Sequence, residues 1–370
     1  MPHLVLAGAG HAHLATLAAL PDFLRRGHKV TVVSPEPAPA YTGMGPGVLG
    51  GRYRSEQALL PVERLTLSGG GVFRHDRVTA IDPARRILLL ASDGELPYDI
   101  LSCNLGSAVL LPAGLAPGAQ AVPVKPVANL ALARQNLLAL PGREPLRLAV
   151  VGGGPAGVEI AGNLAALQEQ SGRGGVVTLF AGARLLAAFP EKARQVVLAN
   201  FAARGIVVRE GVRLKGLSAG VLSLDDGTSC SADTVFLALG IRPPALFAPA
   251  GLAVGGDGGL LVDATLQAVG HPGIFGAGDC IAFAPRSLPK VGVHAVREGN
   301  LLRRNLLAAL EGRPLARYRP QRHCLLIFNL GDGSAVLHHS GHVAAGRWAM
   351  RVKEWLDLGF VRRWQRLAGR

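Results

Sequence analysis

The sequence predicts an α/β protein made of two doubly wound units, closed by a short C-terminal α/β segment that ends in an amphipathic helix. Three observations carry the prediction. A glycine-rich loop, L-V-L-A-G-A-G-H-A-H, ends an apolar run at 4–13, and a second, V-V-G-G-G-P-A-G-V-E, does so at 150–159. The order of apolar runs and turns after each loop is the same in both halves.

In the first half, 4–8 is a continuous apolar run, as expected of a strand buried on both faces of a parallel sheet. His11 to Leu20 reads as a helix stopped by Pro21, and Val30–Val33 as the next strand. Glycines at such a strand-to-helix turn let the backbone approach a pyrophosphate, and the helix N-terminus offers its amides to the anion. Gly8 and Gly10 meet that need. The third glycine position holds His13, which suggests a looser helix–strand contact or a side chain turned outward. His11 and His13 read as loop histidines rather than proton carriers.

Val78–Ile81 and Ile87–Leu90 follow, then Asp93-Gly94, Tyr98-Asp99-Ile100-Leu101 and Gly106. The second half repeats the plan with strand Leu146–Val151, helix Gly157–Gln168, a Gly-rich turn at 172–175 and strand Val176–Phe180. Val212–Leu217, Val221–Leu224, Asp226-Gly227, Asp233-Thr234-Val235-Phe236 and Gly240 complete it. Gly152, Gly154 and Gly157 keep the full glycine spacing. Each half therefore reads as a Rossmann-like dinucleotide-binding sheet followed by a three-stranded meander. Two such loops suggest a chain that holds two nucleotides and passes electrons between them.

Beyond Thr265, a short strand ends in Gly278-Asp279, a carboxylate suited to accepting hydrogen bonds from a sugar-alcohol hydroxyl. A helix is expected from about Val291 to Leu310, then two strand-like runs, Cys324–Leu330 and Ser334–His338, and a last helix. Setting Trp348 at zero on a helical wheel, Ala349, Val352, Trp355, Leu356 and Phe360 share one apolar arc. Arg347, Arg351, Glu354 and Asp357 lie elsewhere, and Arg362, Arg363, Arg366 and Arg370 follow. Aromatic rings beside cationic flanks suit an anionic membrane surface, while the same arc would serve packing on its own domain or in a homodimer.

Composition narrows the class. With 49% hydrophobic and 17% charged residues, the 370-residue chain is a packed globule. Cys103, Cys230, Cys280 and Cys324 are scattered, which predicts free thiols and no metal site or disulfide framework. No leader segment opens the chain and no run is long enough to span a membrane, so a cytoplasmic setting is expected, peripheral on the cytoplasmic membrane face if the last helix docks there. The net charge is +14, but only 5% of residues are aromatic and no stacking motif occurs, which argues against nucleic acid.

Gly8–His13, Tyr41-Thr42-Gly43-Met44-Gly45-Pro46-Gly47, Asn104-Leu105-Gly106-Ser107, Gly278-Asp279, and Lys290 with His294-Ala295-Val296-Arg297 carry a family likeness. On these residues the chain resembles the pyridine nucleotide–disulfide oxidoreductase superfamily. Within it, the chain is similar to the type II NADH dehydrogenase-like branch, with a closer likeness to the NADH dehydrogenase-like proteins sometimes fused to selenide,water dikinase. The resemblance implies that the first loop and Gly278-Asp279 bind FAD, and that a second domain, inserted in the first, binds NAD(P)H. The expected division is 1–115 with 243–318 for FAD, 116–242 for NAD(P), and 319–370 for the C-terminal segment. Flavin contacts are expected at Gly8, Gly10, His11, Ser34, Gly43, Gly106, Gly278 and Asp279, and nicotinamide nucleotide contacts at Gly152, Gly154 and Gly157. Glu159 would approach the nicotinamide and flavin, and Lys290 would neutralise the reduced ring.

Several departures matter. No cysteine pair supports disulfide or sulfide chemistry. The strand-end acid that binds ribose hydroxyls is replaced by Phe180-Ala181-Gly182 in the second unit, with Arg184 close enough to meet a 2′-phosphate; the first unit has Ser34 there and Glu36 two residues on. Glu298 stands near a position where type II enzymes place Gln at the quinone site. The expected function is an FAD-dependent NAD(P)H dehydrogenase reducing a quinone or similar small acceptor. The alternatives are a soluble flavoprotein reductase of selenium or sulfur metabolism and a redox-inactive FAD-binding sensor.

Overall fold

The computed structural model describes residues 1–111, 120–142 and 144–369; the expected boundary at 115/116 and Arg370 lie outside them. Two five-stranded parallel sheets form the frame. The first runs Ile274–Gly276, Ile100–Cys103, His3–Ala7, Lys29–Ser34, Val72–His75. The central strand buries Leu4 to Ala7 completely, which is why its sequence is continuously apolar instead of alternating. The second sheet runs Val207–Glu210, Gly175–Ala181, Leu146–Val151, Thr234–Leu237, Ala121–Pro123. The first sheet's edge strand Ile274–Gly276 therefore comes after the whole second sheet in the chain. Each sheet has its own apolar core, with Phe23, Phe247 and Phe275 in one and Phe180, Phe201 and Phe236 in the other.

Three-stranded antiparallel meanders follow both halves as the repeat predicts: Val78–Asp82, Ile87–Leu90 and Glu95–Pro97, then Leu214–Ser218, Val221–Leu224 and Ser229–Ser231. Both first hairpins even carry a register shift at the same place, between Val78 and Ala80 and between Leu214 and Gly216.

Pro21 does not stop the helix. After a 3₁₀ turn at His11–His13 and one turn at Leu14–Leu17 the chain reopens, and Pro21 sits in the first turn of a new helix, Leu20–Arg25. There its missing N–H costs nothing, because the first amides of a helix have no intrahelical partner.

The C-terminal segment has three antiparallel strands, Leu326–Asn329, Ala335–His339 and His342–Gly346, before the helix Arg347–Ala368. That helix packs on Val62–Ser68 and on all three strands. Its apolar arc is split. Ala349 is buried and Phe360 partly so, whereas Trp348, Trp355 and Leu356 are 50%, 75% and 40% exposed. The inward face instead carries Met350, Val361 and Trp364 together with two charged residues, Lys353 and Asp357.

Candidate functional site

A cavity of about 1160 Å³ opens between the first glycine loop, the helix after the second loop and the C-terminal helix. Gly8, Gly10, His11, Ser34, Gly43, Gly106, Asp279, Glu159 and Lys290 all reach its wall. Gly278 lines a smaller neighbouring cavity of about 400 Å³, on whose wall Asp279 and Lys290 also stand.

Asn104 organises the glycine loop. Its Oδ1 accepts from the Ala12 amide at 3.1 Å and its Nδ2 donates to Ala277 O at 2.5 Å, so one buried side chain ties the first loop to the Gly278 turn. A β-carbon at position 10 would lie 2.0 Å from that Oδ1, so only glycine fits there. His13 is not turned outward: it is fully buried, with Nδ1 2.7 Å from Gly8 O and Nε2 2.9 Å from Ser102 Oγ. Since a carbonyl only accepts, Nδ1 carries the proton and Nε2 accepts from the serine. Burial lowers its pKa to about 4, so the neutral ring serves as a tight loop-to-sheet tie where a glycine would otherwise permit close packing. His11 is also held neutral by burial at about 4, against the pull of Asp279, and its ring meets Tyr41 and Phe360 edge-on.

Ser34 ends its strand buried, its hydroxyl turned to the backbone of Glu36, which also lines the cavity. Asp279 Oδ2 lies 2.6 Å from Lys125 Nζ and 3.0 Å from Ser107 Oγ. Burial pushes this carboxyl up, but Lys125 and Ser107 prevail and bring it below its ordinary value, so it stays an ionised acceptor. Lys290 Nζ is held by Asp257 at 2.8 Å and Ile281 O at 2.7 Å, at the partition between the two cavities.

Glu298 lies beneath the Gly278 turn rather than on the large cavity. It is 2% exposed and its Oε2 accepts from the Gly278 amide at 2.6 Å. Burial lifts its pKa to about 7, helped by Asp279 and opposed by the amide and Lys290. The folded value stands above the unfolded one, so the folded chain holds the proton more tightly, and stability falls as pH rises from about 4.3 to about 7. Glu298→Gln keeps an acceptor for Gly278 without the charge. It is expected to gain up to about 3 kcal/mol over the parent at pH 8, a gain that vanishes toward pH 4. Denaturant melts at the two pH values check this; an equal effect at both would show that the charge is not what matters.

In the second loop Gly157 is forced by packing, since its β-carbon would lie 1.8 Å from Gly152 O. Gly152 φ is +134°, and Gly154 caps the helix Pro155–Ser171. Gly152, Gly154 and Gly157 do not line this cavity, Gly154 being exposed and Gly152 half-buried beside it; Pro155, Ala156 and Glu159 of the same helix face the cavity. Glu159 Oε1 accepts from the Asn329 amide at 2.9 Å and lies 3.9 Å from Lys353 Nζ. Lys353, 8% exposed, donates to Asp357 Oδ2 at 2.9 Å and to Gly43 O at 3.0 Å. Burial disfavours its ammonium, yet Glu159 and Asp357 outweigh burial and hold the pKa above the ordinary lysine value. Glu159 is pushed upward by burial and by Asp357, with Lys353 and the amide opposing. Two carboxylates thus share one ammonium at the cavity wall, an arrangement able to take up one proton. Tyr41, raised by burial and by Asp357, remains a protonated donor beside them.

Asn104 lay within the motif read from the sequence, but its clamp was not foreseen. Lys125 and Lys353 carry no signal of their role in the sequence, and Asp357 reads there only as a charge off the apolar arc of the last helix. Among the described residues no group of three or more His, Cys, Asp or Glu could hold a metal, the four cysteines are free, and no helix is long and apolar enough to cross a membrane.

A family model for pyridine nucleotide-disulphide oxidoreductases matches residues 2–299. The chain is 29% identical to ferroptosis suppressor protein 1 of Taeniopygia guttata, covering 80% of this chain and 79% of that one. It is equally identical to demethylphylloquinone reductase NdbB of Synechocystis, covering 82% and 78%. The sulfide:quinone oxidoreductase of Aquifex aeolicus superposes with a TM-score of 0.82 at 19% identity, covering 99% of this chain and 92% of that one.

Proposed function

The chain belongs to the pyridine nucleotide-disulphide oxidoreductase family and is an FAD-dependent enzyme that uses NAD(P)H, and from that premise we propose that it reduces a quinone drawn from an anionic membrane surface. The overall reaction is NAD(P)H + H⁺ + quinone → NAD(P)⁺ + quinol. The observation that carries the proposal is a single helical turn. Leu356 and Phe360 line the cavity, while Trp355 and Leu356 are exposed, giving an apolar path from the surface to the interior.

The residues present fit FAD. The cavity exceeds the roughly 300–1,000 Å³ of ordinary ligand pockets, leaving room for a second ligand beside a dinucleotide. The loop at Gly10 admits no side chain, so its backbone can approach a pyrophosphate. The helix Gly292–Leu310 starts at the cavity with no side-chain cap and no acid in its first turn, leaving its amides and dipole for a negatively charged ring. Bound FAD supplies the two-electron relay between hydride donor and acceptor.

The chain's own residues do the rest. Gly8 and Gly10 would seat the pyrophosphate, and Asp279, kept ionised by Lys125, would offer an acceptor to the sugar-alcohol chain. Glu159 holds the proton that quinol formation consumes, and Lys353 sets how readily it is released. Phe328, Leu356 and Phe360 exclude water from the acceptor end. One relative of those named supports the acceptor class, since its name states that it reduces demethylphylloquinone.

The exposed Trp348 and Trp355, flanked by exposed Arg351, Arg362 and Arg363, form the docking face. Replacing each tryptophan by Glu is expected to weaken binding to anionic vesicles at least about tenfold, since burying a large apolar side chain stabilises by roughly 1.5–3 kcal/mol. Flotation with such vesicles, together with quinol formation from embedded and water-soluble quinones, reads this directly. Loss confined to the embedded quinone supports docking; unchanged flotation removes the membrane from the proposal.

A further inference from the structure

We propose that this chain selects NADPH over NADH, reading the 2′-phosphate with Arg213 and Arg184 around the Gly182 turn. The inference rests on the second glycine loop being the site of the nicotinamide nucleotide. In such a site the adenosine ribose lies at the end of the strand that follows the loop helix, where an acid binds the diol or an arginine the 2′-phosphate. Here that strand is Gly175–Ala181, paired in register with Leu146–Val151.

The turn after it is fastened to the glycine loop. Leu186 N donates to Gly153 O at 2.8 Å, and a β-carbon on Gly153 would lie 2.6 Å from Ala181 Cβ. No side chain at Ala181, Gly182 or Ala183 can accept from a ribose hydroxyl. The acid paired in register with the strand end, Glu210, ends the neighbouring strand opposite Ala181. Both its oxygens are taken, by Arg194 at 3.1 and 2.6 Å and by the Leu185 amide at 2.6 Å. Glu210 therefore has no oxygen left for a ribose diol.

What the turn offers instead is positive charge. Arg213 crosses Gly182 so closely that its Cγ and Nε lie 2.9 and 3.5 Å from where a β-carbon would stand. Its backbone is pinned to Asp225, whose Oδ1 accepts from Arg213 N at 2.8 Å and whose N donates to Arg213 O at 3.0 Å. Yet among the described residues no carboxylate comes within ion-pair distance of its guanidinium. Arg184, two residues past Gly182, is 56% exposed, and among the described residues its one ion-pair partner is the exposed Glu191. A phosphate monoester carries about −1.5 to −2 charge at neutral pH and matches the bidentate fork of arginine.

Calorimetric titration of the FAD-loaded enzyme with 2′,5′-ADP and with 5′-ADP tests this without turnover. The 2′-phosphate is expected to tighten binding at least about tenfold, with Arg213→Ala removing most of that gain and Arg184→Ala part of it. Arg213→Lys, which keeps the charge and loses the fork, should fall between. In anaerobic turnover Arg213→Ala should raise the KM for NADPH and leave NADH unaffected. Equal binding of the two probes, or an unchanged preference in Arg213→Ala, overturns the selectivity while leaving the dehydrogenase reading intact. Failure of both nucleotides to bind and to reduce the flavin overturns the donor site itself.

Discussion

Gly10→Val is expected to purify colourless, with FAD lost and activity with it. Even a single added carbon would fall 2.0 Å from Asn104 Oδ1, and valine adds two more. Relief requires Asn104, itself 3% exposed, to move, which gives up its bonds to the Ala12 amide and Ala277 O. Each buried polar group left without a partner costs about 1–3 kcal/mol, and overpacking adds about as much. The damage falls on the loop that must meet the pyrophosphate, so affinity drops more than stability. Gly216→Ala is the matched control: its β-carbon meets nothing within 4 Å, and it lies in the second meander away from the cavity. The ratio of flavin to protein absorbance after gel filtration, with circular dichroism to confirm folding, reads the result. A fully yellow Gly10→Val would mean that the loop is not where the cofactor's phosphates sit.

Lys353→Met should both destabilise the chain and slow quinone reduction. Removing the ammonium leaves Glu159 and Asp357 facing each other at a buried wall, and breaking a buried ion pair on one side costs about 3–5 kcal/mol. Glu159 already sits above its ordinary pKa, and without Lys353 it rises further. A carboxyl raised in the folded state is penalised as pH climbs through the window between its unfolded and folded values. The deficit should therefore be largest at alkaline pH and shrink toward pH 4. Adding Glu159→Gln to Lys353→Met should recover part of the stability but not the turnover, because the proton store is then gone. A pH-independent deficit, or full turnover in the double variant, would take Glu159 and Lys353 out of the mechanism.

The sheets were legible because their signals are local. A continuous apolar run such as Leu4–Ala7 states burial on both faces, and the repeated meanders show as strand–turn pairs a few residues apart. His342–Gly346 escaped notice because H-V-A-A-G carries almost no β-branched residue; only its partner strand makes it a strand. The candidate site was legible where backbone geometry dictates residue type, as at Gly10 and Gly157, and not where partners come from far along the chain. Lys125 becomes meaningful only once folding brings it to Asp279, and Asp357 looked like a solvent-facing charge on the wheel because its partner Lys353 is satisfied by Glu159 and Gly43. His13 misled for a related reason. Only the structure shows a buried serine, Ser102, waiting for its ring.

The central claim is that this chain carries electrons from a nicotinamide nucleotide through its flavin to a quinone, and anaerobic stopped-flow mixing tests it most directly. On mixing with NADPH the oxidised flavin band should bleach completely, and a second mix with a short-chain quinone should restore it with stoichiometric quinol. Absence of bleaching by both NADPH and NADH, or a bleached enzyme that quinone does not reoxidise, would contradict it.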